Sequence, residues 1–250
     1  MQRRGLDVVF CLDTSRSMLA RDIEPDRFSR AVRDIRSVLP ELVGGDRVGL
    51  VAFAGRARRI IPLTHDLDSF RQLLATVDTN TVRLGGSDLA AAIREAMELV
   101  EEDQQTTTVI ALLTDGEDLT GAGRQAANEA ASAGIVLHTV GYGSTRGSKI
   151  TLESGGQESF LTSGNGEEVV SVLDVEGLRA MALATGGEFI RADVMPLPLV
   201  ELKRKRLDPM LTRVYEAGEE TLLKTRYQLV LLPGILLLLW DILNSGGRRR

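Results

Sequence analysis

Two apolar runs in this chain each lead into an aspartate, and this arrangement constrains both the fold and the position of a site. Val8–Leu12 is followed directly by Asp13, and Thr107–Leu113 is followed by Thr114 and Asp115. Apolar runs bounded by polar turn residues are typical of strands buried on both faces of a parallel sheet. The carboxyl ends of such strands lie at one edge, where open α/β sheets bind ligands.

Helical periodicity separates these runs. Apolar residues recur at three- and four-residue steps from Phe28 to Leu42, and Leu89–Glu102 carries its apolar residues on one face. Other helices are predicted over Asp66–Val77, Gly123–Ala133 and Val175–Thr185, and other strands over Arg47–Phe53, Ile135–Gly141 and Glu188–Arg191. Alternating strands and helices predict an α/β fold with a doubly wound, mostly parallel central sheet.

One connection in the predicted sheet is too short for a parallel crossover. Arg47–Phe53 is separated from a further strand, Ala57–Pro62, by a short link that contains Gly55. Parallel neighbours need a crossover of a dozen or more residues, whereas antiparallel neighbours need only a tight turn. We therefore expect one antiparallel strand at an edge of the sheet.

The rest of the chain divides by composition. Residues 148–172 alternate short β-prone runs with Gly, Ser and Asn turns, which predicts a β-hairpin insertion at the sheet's edge, within a domain covering 1–195. Residues 196–226 keep a helical pattern but are charged, so they are expected to form a helical linker at the end of the domain. An apolar segment over 227–243 and a basic tail over 244–250 end the sequence.

The apolar segment is interpreted as a short transmembrane helix. Its core, Leu229–Trp240, is shorter than the about 20 residues of a typical span. Trp240 ends this core and Tyr227 lies just before its start, and arginines lie beyond both residues. Aromatic and basic residues in these positions are typical of membrane interfaces. Pro233-Gly234 weakens a soluble helix but is tolerated in lipid. We expect a single C-terminal anchor in contact with membrane lipid, on an undetermined side, and no N-terminal signal peptide. A buried or partner-facing helix is the alternative.

Composition excludes several classes of function. The net charge of −5 and an aromatic content of 4% do not suit a nucleic-acid-binding protein. Cys11 is the only cysteine and lies in an apolar run, so we expect a buried, inert thiol and neither an intrachain disulfide nor a cysteine metal site. His65 and His138 lie far apart in the sequence and are predicted to be structural rather than zinc-binding or catalytic.

Five oxygen-bearing side chains lie at or near strand-to-helix connections of the predicted sheet. Asp13, Ser15 and Ser17 alternate along the first turn, Ser87 precedes the helix that begins at Leu89, and Asp115 follows the third long strand. Carboxylates and hydroxyls suit a hard cation, Mg²⁺ above all, with Mn²⁺ or Ca²⁺ as alternatives. Such a cation keeps a coordination position open, which a Glu or Asp carboxylate of a protein partner can fill.

Each of these segments also has an ordinary interpretation. Asp13, Ser15 and Ser17 are common turn residues, Ser87 is suited to capping the following helix, and Asp115-Gly116 is a common turn dipeptide. The convergence of three such segments on one edge of the sheet is what favours a cation site.

Three segments resemble a known family: DTSRS (13–17), GGSDL (85–89) and LLTDGED (112–118). They are similar to the metal-ion-dependent adhesion site of the von Willebrand factor type A domain, whose pattern is DxSxS, then a Thr, then an Asp in a TDG segment. The chain matches at Asp13, Ser15, Ser17 and Asp115 and has Ser87 where Thr is usual. The resemblance implies that these five residues bind the cation.

Longer segments resemble bacterial membrane-tethered type A proteins of the Bat (aerotolerance) group: RRGLDVVFCLDTSRSMLARDIEPDR, GGDRVGLVAFAG, IPLTHD and LATGGEFIRA. This resemblance implies a place in the bacterial inner membrane. It also implies partnership with a MoxR-type AAA+ ATPase and related type A domain proteins. The corresponding role would be in complex assembly or envelope stress tolerance.

Three functions are compared on this basis. The first is a membrane-anchored, Mg²⁺-dependent protein-binding module without catalytic activity. The second is a metal-dependent phosphohydrolase with Asp13 as nucleophile, but no histidine or motif lysine lies near the site, and Ser15 stands where haloacid dehalogenase-type phosphatases carry a second Asp. The third is a scaffold whose site binds no metal. The first is the function we expect.

Overall fold

The computed structural model describes residues 5–42, 45–100, 107–118, 121–154 and 157–209, together with Ile235, Leu237 and Trp240. The chain divides into two units, Met1–Lys205 and Arg206–Arg250. The first unit contains all of the predicted cation ligands and consists of a central sheet with helices on its faces.

A six-stranded sheet forms the centre of this unit. The strands along the chain are β1 (Leu6–Asp13), β2 (Arg47–Phe53), β3 (Ala57–Thr64), β4 (Thr107–Thr114), β5 (Val136–Gly141), β6 (Ser148–Lys149), β7 (Thr151–Ser154), β8 (Gln157–Phe160), β9 (Val170–Ser171) and β10 (Phe189–Arg191). The central sheet has the order β10-β5-β4-β1-β2-β3. β1 is therefore flanked by β4 and β2, so the turn after β1 lies between theirs.

The pairing of these strands confirms the predicted fold class. β1 is parallel to both β2 and β4, with Asp13 opposite Phe53 and Leu12 opposite Leu113. β5 pairs in parallel with β4 and with β10. Within the central sheet, only β3 pairs antiparallel, with β2, at one edge. The short link at Gly55 therefore joins two antiparallel strands, as predicted.

Helices cover both faces of the sheet. They are α1 (Arg27–Val38), α2 (Leu67–Leu74), α3 (Leu89–Glu98), α4 (Gly123–Ser132), α5 (Val175–Ala184) and α6 (Pro198–Leu202), with 3-10 turns over Arg16–Leu19 and Leu39–Glu41 and a π turn over Lys203–Leu207. Side chains alternate across β1: Val9 and Cys11 join the core cluster formed with α3, α4 and α5. Phe10 packs on Phe70 of α2, with ring centroids 6.1 Å apart, on the opposite face.

Cys11 lies in this core as expected. Its side chain is fully buried, its Sγ lies 3.6 Å from the Ala92 carbonyl oxygen, and burial raises the pKa of the thiol far above its ordinary value. A thiol that is neither accessible nor ionised is inert.

The segment between β5 and α5 differs in position from the expected edge hairpin. β6 pairs with β9 and β7 pairs with β8, both antiparallel, as two small sheets separate from the central one. A bridge between Ala20 and Ile150 joins this segment to the turn after β1. The insertion therefore lies over the carboxyl edge of the sheet, where the predicted ligands are.

Part of the C-terminal prediction lies outside the described residues. α6 and the π turn fall in the predicted helical linker over 196–226. The remainder of that linker beyond 209, the apolar segment over 227–243 and the tail over 244–250 are not described, apart from Ile235, Leu237 and Trp240, which are helical and exposed. Within the described part of the chain, no helix combines the length and apolar character that crossing a bilayer requires.

Candidate metal centre

The turn after β1 buries three of the predicted ligands. Asp13 is fully buried, and its Oδ1 accepts a hydrogen bond from the Ser15 backbone N–H at 2.8 Å. This bond curls the chain so that the Oγ atoms of Ser15 and Ser17 lie 2.9 Å apart. Both serines are almost completely buried. A carboxylate and two hydroxyls therefore lie together at the end of the central strand.

A hydrogen bond between neighbouring strands joins this turn to the end of β4. The Thr114 hydroxyl donates to Asp13 Oδ2 at 2.6 Å and accepts from the Gly116 backbone N–H at 3.0 Å. Asp115 comes next in the chain and is fully buried. Asp13 and Asp115 are thus brought to the same edge by the parallel register of their strands.

The proximity of these two aspartates changes the protonation of Asp13. Burial raises the pKa of the Asp13 carboxyl to about 7, the charge of Asp115 contributes to the rise, and hydrogen bonds from Thr114 and Ser15 oppose it. Two carboxylates that share a poorly solvated site cannot both ionise easily without a counter-charge. A divalent cation bound beside Asp13 would supply such a charge.

Ser87 lies at the same edge on a separate loop. The Asp88 backbone N–H donates to the Ala54 carbonyl at 2.7 Å, which ties this loop to the end of β2. Asp88 also caps α3, since its Oδ1 accepts from the Ala91 N–H at 2.9 Å. The capping interpretation of Ser87 is therefore wrong, and the Ser87 side chain is almost completely buried. Among the described residues, no hydrogen bond joins Ser87 to the other four predicted ligands.

Sequence reasoning missed Arg27, which holds Asp115 in place. Arg27 begins α1 and is fully buried, and its Nη1 donates to Asp115 Oδ2 at 3.0 Å and to Ser171 Oγ at 2.7 Å. The Ser171 hydroxyl in turn donates to Asp115 Oδ2 at 3.0 Å. Ser171 belongs to β9, so the insertion contributes directly to the position of Asp115.

The other side of the Arg27 guanidinium is equally constrained. Nε and Nη2 donate to the two carboxylate oxygens of Asp22 at 2.8 and 2.9 Å, a bidentate pair. Gly143 has φ +131°, and a Cβ there would lie 2.7 Å from Arg27 Cζ. Only glycine fits beside the guanidinium at this backbone conformation.

A sequence signal for Arg27 exists. Ala31 and Ile35 mark the buried face of α1, and Arg27 lies one further helical step before them. A charged residue on a predicted core face indicates a buried partner. No comparable pattern marks Ser171, because β9 is only two residues long.

The donor set fits a hard divalent cation. The charge of Arg27 is shared by Asp22 and Asp115, so the negative charge of Asp13 has no counterpart in this network. The half-buried Glu117 is another carboxyl beside Asp115, and burial and then the charge of Asp115 raise its pKa. No group of three or more His, Cys, Asp or Glu side chains converges within the described ranges, so hydroxyls would complete the ligand set. Asp13, Ser15, Ser17, Ser87 and Asp115 stay predicted ligands.

The position of the Ser87 loop depends on a glycine. The Gly55 N–H donates to the Leu84 carbonyl at 3.0 Å, and a Cβ at Gly55 would lie 2.3 Å from the Gly85 carbonyl oxygen. Gly55→Ala is therefore expected to displace the loop and to lower the free energy of unfolding by about 1–3 kcal/mol, as overpacking does. Chemical denaturation measures this loss.

Gly85→Ala is the matched control, because nothing lies within 4 Å of a Cβ built there. It should leave stability almost unchanged and should bind divalent cations as the parent does. Equal destabilisation by the two substitutions would contradict the assigned close approach.

Comparison with known families gives an independent view of the chain. A family model described as "von Willebrand factor type A domain" matches residues 8–117. That range begins in β1 and ends after Asp115, so it contains every predicted ligand.

Two solved structures are similar to the chain over most of its length. One is described as an aerotolerance-related membrane protein from Bacteroides fragilis NCTC 9343, with 30% sequence identity, 75% of this chain and 91% of that chain covered, and a TM-score of 0.71. The other is described as the conserved hypothetical protein BatB from Bacteroides thetaiotaomicron, with 27% identity, 86% and 100% covered, and a TM-score of 0.73.

A relative from Nocardia farcinica, named "UPF0353 protein", is 27% identical over 203 residues. The match covers 76% of this chain and 59% of the relative, so the chain spans about three fifths of that relative's length.

Proposed function

Because the chain belongs to the von Willebrand factor type A domain family and resembles its aerotolerance-related Bat members, we propose that it is a membrane-anchored, divalent-cation-dependent protein-binding module. The observation that carries the proposal is the junction of β1 and β4, where two buried carboxylates meet beside two paired hydroxyls. In α/β sheets of this kind, ligands bind beyond the carboxyl ends of the strands.

Asp13, Ser15, Ser17, Ser87 and Asp115 would hold the cation. Mg²⁺ is the ion we propose, with Mn²⁺ or Ca²⁺ as alternatives, because the donors are all oxygen atoms. The bound ion would supply a Lewis-acidic position for a Glu or Asp carboxylate of a protein partner. Arg27 and Ser171 keep Asp115 oriented, and Thr114 does the same for Asp13.

The proposed partners are a MoxR-type AAA+ ATPase and related type A domain proteins, by similarity to the Bat group. Attachment to the bacterial inner membrane is supported by the description of the Bacteroides fragilis relative as a membrane protein and by the apolar segment over 227–243. That segment would contact membrane lipid as a single anchor.

Binding without catalysis is favoured by the surroundings of Asp13. Both of its carboxylate oxygens accept hydrogen bonds and the side chain is fully buried, so it is poorly placed to act as a nucleophile. The histidines lie elsewhere: His138 Nδ1 accepts from the Glu188 N–H at 2.9 Å, and His65 Nδ1 lies 2.9 Å from the Asp46 carbonyl. Neither is placed to act as a general base for Asp13 chemistry.

Calorimetric titration of Mg²⁺ into the full chain tests the proposal. We expect single-site binding, weakened by roughly tenfold or more in the Ser15→Ala/Ser17→Ala double variant, since even groups that support metal ligands act on this scale. Ser132→Ala, an exposed serine on α4, is the control. Undiminished binding in the double variant, or no binding in the parent, would remove the proposed site.

Partner binding is tested with the purified MoxR-type ATPase of the same organism. The full chain is expected to bind it in Mg²⁺ and to release it in a chelator, because the ion would provide the contact. Equal binding in both conditions would favour a scaffold that needs no metal.

A further inference from the structure

A cavity of about 390 Å³ opens beside the candidate metal centre. Ser15, a predicted ligand, forms part of its wall, as do Thr14 of the same turn and Gly85 of the loop that carries Ser87. A group that occupies this cavity therefore lies next to the predicted cation position. The volume is in the range of pockets that accept small molecules or a few side chains.

Two arginines that line this cavity are available to a ligand. Arg16 and Arg83 are both exposed, and neither forms an ion pair or hydrogen bond with another described residue. Arg94 and Arg59, in contrast, are paired: Arg94 contacts Glu129 at 2.8 Å and Arg59 contacts Glu95 at 3.2 Å. The cavity therefore presents two unneutralised positive charges, although the chain as a whole carries a net charge of −5.

The remaining wall of the cavity is mixed. Ala54 and Val82 are buried and apolar, whereas Leu84 is 52% exposed and Asn80 is also exposed. An anion bound here would have apolar contacts beside the arginines. A lipid headgroup at a flat membrane surface would meet the exposed arginines without filling the recess, so the shape favours a side chain from a protein.

We propose that this cavity binds an acidic segment of the partner protein that carries two nearby carboxylates. One carboxylate completes the cation site, and the second is held by Arg16 and Arg83. This inference rests on the proposed function and specifies the partner's chemistry. The charges of the cavity and of the cation are both complementary to such a segment, and charge complementarity of this kind determines which partners bind.

The test uses fluorescein-labelled peptides in which two glutamates are separated by zero to three residues, with glutamine peptides as blanks. Their affinity for the full chain in Mg²⁺ is measured by fluorescence polarisation. We expect Arg16→Gln/Arg83→Gln to weaken binding of the preferred peptide by roughly tenfold. Arg36→Gln/Arg124→Gln removes the same charge at two exposed arginines on α1 and α4 and should leave affinity unchanged.

The cavity variant is expected to bind Mg²⁺ at least as tightly as the parent, since it removes positive charge near the ion. Equal weakening in the two double variants, or a parent that binds Mg²⁺ but none of the peptides, overturns the inference and leaves the proposed function standing. A parent that binds no Mg²⁺ overturns the proposed function itself. Arginine-dependent binding to phosphatidylglycerol vesicles without peptide binding would replace the protein partner by a membrane and overturn the inference.

Discussion

Replacing Arg27 by methionine is expected to lower the free energy of unfolding by about 3–5 kcal/mol, the range seen when one partner of a buried ion pair is removed. The guanidinium is fully buried, and its loss would leave Asp115 with no cationic partner among the described residues, in a site that already holds Asp13. Asp22 would lose both bonds of a bidentate pair. Methionine fills much of the same volume, so most of the loss would come from unpaired charge.

Urea denaturation of the metal-free protein measures this loss, with Arg94→Met as the matched control. Arg94 also forms two hydrogen bonds to one carboxylate, that of Glu129, but both side chains are exposed. Surface pairs contribute little, so the control should lose far less stability. Arg27→Lys should lie between the parent and Arg27→Met, because it keeps the charge but not the planar fork. Similar losses for Arg27→Met and Arg94→Met would contradict the assigned network.

The central sheet can be predicted from the sequence because its strands are buried on both faces. Such strands read as continuous apolar runs, as in Val8–Leu12, and β2 has the predicted bounds of Arg47–Phe53. Helix ends are less predictable. The apolar pattern continues to Glu102, but α3 ends at Glu98, because periodicity alone does not mark where the last turn stops.

The positions of Asp13 and Asp115 can be read from the sequence because each aspartate lies at the end of a strand. The parallel pairing of β1 and β4, with Leu12 opposite Leu113, then places both aspartates at the same edge of the sheet. The contacts between the loops cannot be read in this way. Ser171 reaches Asp115 from an insertion whose course depends on the bridge between Ala20 and Ile150, a long-range pairing with no local signal. The sequence allows Ser87 either to cap α3 or to act as a cation ligand. The structure excludes capping, because Asp88 caps α3 instead.

Asp13→Asn is expected to abolish detectable Mg²⁺ binding and at the same time to stabilise the metal-free protein. The folded state raises the pKa of Asp13 to about 7, through burial and then the charge of Asp115. A raised carboxyl pKa means that the folded state binds the proton more tightly than the unfolded state. Its contribution to stability is therefore present at low pH and is lost as the pH rises through the folded pKa.

Above neutral pH, the parent without metal must keep the Asp13 carboxylate ionised in a buried site beside Asp115. Asparagine removes this charge, and the Thr114 hydroxyl can reverse to accept from its amide. In a chelator at about pH 8, thermal unfolding should show Asp13→Asn more stable than the parent by about 1–4 kcal/mol, with the difference shrinking below about pH 5.

Mg²⁺ at a thousandfold excess over its dissociation constant should reverse this order, because an ion that binds only the folded parent then stabilises it by about 4.1 kcal/mol. Asp46→Asn is the control: Asp46 is also buried, but its Oδ1 accepts from the Leu6 N–H at the opposite end of β1. That variant should keep the parent's response to Mg²⁺. If Asp13→Asn is less stable than the parent in chelator at every pH, Asp13 contributes to the fold through its hydrogen bonds alone. The electrostatic argument for the cation site would then be wrong.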